Sequence, residues 1–148
     1  GQSSVTERPG VATALIEELR RRTQMVAAAD KDGPSARMQE LVGTRKLLSA
    51  IESLASSDRH KALLTSNGVV PVLIVVLKEG RADVRGTCHA LNTILHLLLE
   101  AESRLRVPSA EVMDVVRKYA KDSDGRVRAC ASALIYALSH DVASPSPA

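Results

Sequence analysis

Apolar residues along this chain recur mostly at spacings of three and four, the period of an amphipathic helix, and almost nowhere at the period of two that marks a strand. The stretch 67–100 is the most informative. It opens on Asn67-Gly68, a pair suited to closing one helix and turning the chain, since Gly takes the left-handed backbone without a steric cost. An apolar run fills 69–77, a polar break spans 78–83, and a second helical pattern runs from Val84 through Cys88, Leu91, Ile94, Leu95 and Leu98 to Glu100. Within 69–77 a buried strand and a helix share one pattern, and the helical neighbours on both sides favour a helix. Neither helix covers its apolar face alone. The unit is therefore expected to be one member of a stack.

Residues 1–9 are polar, without apolar period, and are expected to be disordered. From Val11 the spacing predicts a helix with Ala14, Leu15, Leu19 and Arg22 on one side, continuing through Met25 to Ala28. Asp30-Lys31-Asp32-Gly33-Pro34 is a strong break, after which Ser35 is expected to cap a helix carrying Met38, Leu41, Val42, Leu48, Ile51 and Leu54. Ser57-Asp58 caps a short helix that ends at Asn67-Gly68. Beyond the central unit, 104–107 reads as a connector and Pro108-Ser109 as a helix start. Val112, Met113, Val115, Val116 and Tyr119 form the next apolar face, 121–125 breaks it, and 127–139 is the last helix before a tail, 142–148, expected to be disordered.

Segments of this pattern superpose on one another. Gly10-Val11, Leu15-Ile16 and Leu19-Arg20 match Gly68-Val69, Leu73-Ile74 and Leu77-Lys78 at a shift of 58 residues. Val72-Leu73 and Val75-Val76 match Val112-Met113 and Val115-Val116 at a shift of 40. For the longer helix, Ala50-Ile51 matches Ala90-Leu91 at 40, and Ala90-Leu91 matches Ala133-Leu134 at 43. A period near forty residues is that of stacked helical repeats. The expected organisation is one domain over 10–141, with repeats at about 10–56, 57–102 and 103–141.

Composition narrows the chemistry of the core. With 148 residues, two Tyr, no Phe and no Trp, the core must be aliphatic, which favours close-packed helices over an aromatic-rich sandwich. A net charge of +3 permits a local basic face without requiring a nucleic-acid partner. Cys88 and Cys130 both lie in helical patterns and read as free core thiols in a reducing compartment. No segment behind a basic flank resembles a signal peptide, and the run 69–77 is far too short to cross a bilayer. Because the sequence starts at Gly1 and not Met, it is expected to be a piece of a longer protein.

The stretch Asn67-Gly68-Val69-Val70-Pro71-Val72-Leu73 resembles the armadillo repeat, in which a small pair including Gly precedes an apolar second helix, often with a Pro; HEAT repeats are the near neighbour. Asp83-Val84-Arg85 looks like the start of its third helix, and 57–66 like its short first helix. The resemblance covers roughly 11–140 and is best in the central repeat. It implies an all-α, right-handed superhelical solenoid of about three repeats whose third helices line a groove for a protein or peptide partner. Importin-α-like members hold basic peptides with a Trp and Asn ladder. Here those positions carry Ser49, His89 and Ser132 for Trp and Ser53, Thr93 and Tyr136 for Asn, so a nuclear-import receptor is disfavoured. Arg45, Arg85 and Arg128 instead share one repeat position by the shifts above, and similarity to basic β-catenin-like grooves implies an acidic partner. The bland alternative is that these arginines are solvated or paired with Asp83 and Asp124.

The groove set expected from the helix stride is Arg45, Ser49, Arg85, His89, Asn92, His96, Arg128, Ser132 and Tyr136. No catalytic motif is present: there is no phosphate loop, nucleophile elbow or H-E-x-x-H. The chain is expected to be non-enzymatic and to need no cofactor. His89 and His96, with Cys88 adjacent, lack a second ligand pair, which disfavours a zinc site. Sequence-specific single-stranded RNA binding lacks the aromatic side chains on which bases stack. Two further roles fit the pattern: a self-associating segment of a larger cytoskeletal, ciliary or trafficking scaffold, and a binder of anionic polymers such as tubulin tails or nucleic acid, the latter disfavoured. The corresponding setting is cytoplasmic, with cytoskeletal or nuclear association as variants.

Overall fold

In a computed structural model, the described residues are 9–25 and 33–140. They form α1 (Pro9–Gln24), α2 (Gly33–Ala55), α3 (Asp58–Ser66), α4 (Val69–Lys78), α5 (Val84–Leu98), α6 (Ala101–Leu105), α7 (Ser109–Val116), a 3-10 segment (Arg117–Lys121) and α8 (Gly125–Ser139). No strand occurs among them, so the expected all-α class holds, and the ambiguous run 69–77 is helix.

Local chemistry accounts for most of the boundaries. Gly68 adopts φ 78° and turns the chain sharply between α3 and α4, a backbone in which any side chain would be strained. Asp83 and Asp124 cap α5 and α8, each accepting at 2.8 Å from a backbone N–H of the first turn, Gly86 and Arg126 respectively. Three boundaries differ from the sequence expectation. Pro9 opens α1, where a missing N–H costs nothing. Gly33, at φ 86°, turns the chain into α2 with Pro34 in its first turn, so Ser35 lies inside the helix and does not cap it. The connector expected at 104–107 is partly helical: Glu100 accepts from Ser103 and Glu102 N–H groups at 2.9 and 3.1 Å and starts α6. The disorder expected at residues 1–8 and 142–148, and the continuation of the first helix to Ala28, lie outside the described residues.

Helices three places apart in chain order lie against each other. α2 packs on α5 and α5 on α8; α1 packs on α4 and α4 on α7; α3 meets α6. The nearly all-apolar α4 sits centrally and buries Val69, Val70, Val72, Leu73, Ile74, Val76 and Leu77, as a helix without a polar face must. The core is one aliphatic cluster running from Ile16 and Leu19 through Leu48, Leu73, Leu91 and Ile94 to Leu134. Where α7 gives way to the 3-10 segment, buried Tyr119 donates its hydroxyl to the Leu77 carbonyl and satisfies the end of α4. Among the described residues no single helix is long and apolar enough to cross a membrane.

Candidate binding face

The row α2–α5–α8 follows from burial. Thr44, Leu48, Ile51 and Ala55 are the buried positions of α2, and Thr87, Leu91, Ile94 and Leu98 repeat them on α5 at a shift of 43 residues. Thr87, Leu91, Ile94 and Leu97 recur as Val127, Ala131, Leu134 and Ala137 on α8 at a shift of 40. This register reverses the two shifts read from the sequence. The Ala-Leu doublets misled because they are not equivalent: Ala90 is buried and Ala133 exposed. In the observed register Arg45 corresponds to Cys88 and then to Arg128, while Arg85 corresponds to Val42 and Gly125. The expected arginine row is therefore interrupted at its middle position.

Each arginine has a different environment. Arg45 Nη1 lies 3.0 Å from Asp83 Oδ2 and ties α2 to the first turn of α5. Arg128 is exposed but donates to the carbonyls of Asp122 and Ser123 at 2.8 and 2.9 Å, bracing the loop before α8. Arg85 is exposed and makes no ion pair or hydrogen bond among the described residues.

A cleft of about 470 Å³ opens on this row. Its walls are Glu52 from α2, Val84, Arg85, Cys88, His89 and Asn92 from α5, and Arg126 and Cys130 from α8. Of the expected groove set, Arg85, His89 and Asn92 border it. Cys88 and His89 sit roughly 100° apart around α5, yet both reach it. Glu52 Oε1 lies 2.6 Å from His89 Nδ1, and its other oxygen lies 3.7 Å from His96 Nε2, so one carboxylate lies between two histidines about two turns apart on the same side of α5. His96 is thereby placed beside the cleft and not in its wall. Ser49 is half-buried on α2, and Ser132 and Tyr136 are exposed on α8, where the Tyr136 ring stacks on His140 with centroids 4.0 Å apart.

The thiols are half-buried and free, forming wall and not core as the sequence had implied. Burial pushes Cys88 up to about 12, helped by its hydrogen bond with Cys130 and by the negative charge of Asp124. It is thus an uncharged, weakly nucleophilic surface. Asp124 is held down to about 2, first by the Arg126 side chain and then by backbone N–H groups at the start of α8. No group of three or more His, Cys, Asp or Glu among the described residues is placed to hold a metal ion.

The sequence reading missed Glu52, Val84, Cys88, Arg126 and Cys130 as cleft residues. Val84 and Cys88 lie four residues apart on the stride that continues to Asn92, a signal present in the sequence; Glu52 and Arg126 join them only through the packing of α2 and α8 on α5. No family model, curated protein or solved structure matches this chain.

Proposed function

We propose that this chain is a non-enzymatic protein-interaction module built as an armadillo-like, right-handed solenoid of about three repeats, and that the α2–α5–α8 row is its binding face. The observation that carries the reading is the side-by-side packing of helices three apart in chain order, which lays α2, α5 and α8 in a row and leaves an open cleft on it. The face offers exposed polar groups at Arg85, Ser132 and Tyr136 and half-buried ones at Ser49, His89 and Asn92. A partner laid across several helices would meet all of them.

The test is a pull-down from a eukaryotic cytosolic lysate with three proteins whose helicity is first shown to be equal. These are the wild type, a face variant carrying Arg85→Glu and Ser132→Arg, and a control carrying Asp114→Lys and Lys118→Glu at the meeting of α4 and α7. Partners lost only from the face variant support the reading. Partners lost only from the control move the site to the other row.

A second reading is favoured by the outer side of α8, where Ala129, Ser132, Ala133 and Tyr136 are all exposed with no further helix packed on them among the described residues. Self-association through this end would place the module inside a larger scaffold. Sedimentation equilibrium of the wild type against Ala133→Arg separates the two: a dimer abolished by the substitution supports the scaffold role, and a monomer at all concentrations removes it.

A further inference from the structure

The α5–α8 cleft combines three properties. Its floor is soft and weakly polar: Val84 and the half-buried thiols of Cys88 and Cys130, which are hydrogen-bonded to each other. Its rim is cationic on both sides. Arg85 projects from α5 without an intramolecular partner among the described residues. Arg126 projects from α8 with its side chain 65% exposed and its guanidinium paired to Asp124, Nη2 to Oδ2 at 3.0 Å and Nε to Oδ1 at 3.2 Å, so Arg85 is the rim cation without a competing carboxylate. The one carboxylate in the wall, Glu52, is already engaged by His89. Asn92 completes the wall with an amide that both donates and accepts, the pairing a peptide backbone needs. The volume of about 470 Å³ falls within the range of small-ligand sites.

These properties select among ligands. A basic peptide would meet the unpaired guanidinium of Arg85, while the Glu52 and Asp124 carboxylates are already engaged by His89 and Arg126. A nucleic acid would find no Phe, Tyr or Trp in the walls on which to stack a base, and the one ring there, His89, is held by Glu52. An apolar side chain would cover the floor, and a carboxylate beside it would find in Arg85 a guanidinium with no competing intramolecular acceptor to displace. We infer that the α5–α8 cleft receives an aliphatic side chain from an acidic protein segment, with a carboxylate next to that side chain paired to Arg85. The inference rests on the binding-face reading above and adds the chemistry of what binds there and the point at which it anchors.

The experiment is a titration of the ¹⁵N-labelled chain, followed by amide chemical shifts, with three end-blocked synthetic peptides. The first has one leucine flanked by two aspartates on each side; the second has glycine in place of leucine; the third has lysines in place of the aspartates. The expected result is shifts concentrated at residues 84–92 and 126–130 with the first peptide. Exchange of leucine for glycine should weaken binding about tenfold or more, the size expected for losing one buried aliphatic side chain, and the lysine peptide should not bind. Arg85→Glu, on an exposed position that leaves the fold unchanged by circular dichroism, should weaken the first peptide about tenfold. Shifts confined to the cleft but equal for leucine and glycine overturn the anchor. Equal binding of the lysine peptide, or of a single-stranded DNA oligomer at the same residues, overturns the acidic protein ligand. No shift at millimolar leucine peptide, or shifts elsewhere on the row, overturns the cleft as the anchor. If the face variant of the pull-down still loses its partners, the module reading survives that failure.

Discussion

Asp83 uses its two carboxylate oxygens for two different tasks, and Arg45 takes one of them. Oδ1 accepts the Gly86 N–H at 2.8 Å and caps α5, while Oδ2 lies 3.0 Å from the Arg45 guanidinium on α2. A cap is a local device, but here it is also the point where one helix of the row is fastened to the next. The nearest side-chain contacts agree with this: a Cβ placed on Gly86 would lie 3.4 Å from Leu48 of α2, so the helices approach closely at this turn.

Substitution at Asp83 should separate the two tasks. Asp83→Ala removes cap and pair together and should cost about 1–2 kcal/mol. Asp83→Asn keeps a capping oxygen and should cost no more than the half-exposed ion pair, about 0–1 kcal/mol, as should Arg45→Met. Urea denaturation of the three variants checks this. Equal losses for Asp83→Ala and Asp83→Asn would show that the pair, and not the cap, carries the stability.

Acid should loosen α8 first at its N-terminus. Asp124 titrates near 3.8 when unfolded and is held down to about 2 in the fold, so its charged form favours the folded state. That contribution is complete above the unfolded value and disappears as pH falls from about 3.8 to about 2. Urea midpoints of wild type and Asp124→Asn, measured from pH 5 down to pH 2, should therefore differ most at the upper end and converge at the lower. A gap that stays constant across this range would assign the difference to something other than the titration of Asp124.

Cys88 should be a slow thiol in spite of bordering an open cleft. With its thiol pushed up to about 12, the thiolate fraction at pH 8 is about three orders of magnitude below that of an ordinary cysteine, and alkylation should slow accordingly. Mass spectrometry of iodoacetamide-treated protein over time measures this directly. Modification of Cys88 at the rate of a free thiol would mean that the cleft is wetter than its walls imply.

Tyr119→Phe should destabilise more than the loss of one exposed hydroxyl would. The hydroxyl is the partner of the Leu77 carbonyl at the end of α4, and Tyr119 is buried there. Leaving that acceptor unpaired should cost about 1–3 kcal/mol. The loss is read from thermal and urea unfolding, and an unchanged midpoint would indicate that solvent reaches the carbonyl.

The sequence by itself determined the helices and most of their ends, because these depend on neighbours along the chain. Asn67-Gly68 turned the backbone, Asp83 and Asp124 capped, and the three-and-four spacing marked the buried side of α5 and α7. On α1 it pointed to Ala14, which is exposed, in place of the buried Ala12 and Ile16, and on α2 it included the exposed Met38. Even the all-apolar run at 69–77 was assigned to helix from its context. The register between helices was decided elsewhere. Doublets such as Ala90-Leu91 and Ala133-Leu134 look alike in sequence but stand at different positions relative to the core, because alanine is small enough to sit on either side of a helix without a large energetic difference. Only packing against the neighbouring helix selects the buried set, and that selection put Cys88 between Arg45 and Arg128. It also brought Glu52 to His89, and Arg126 and Cys130 to α5. Contacts of that kind join residues more than thirty positions apart, and no local preference of the chain encodes them.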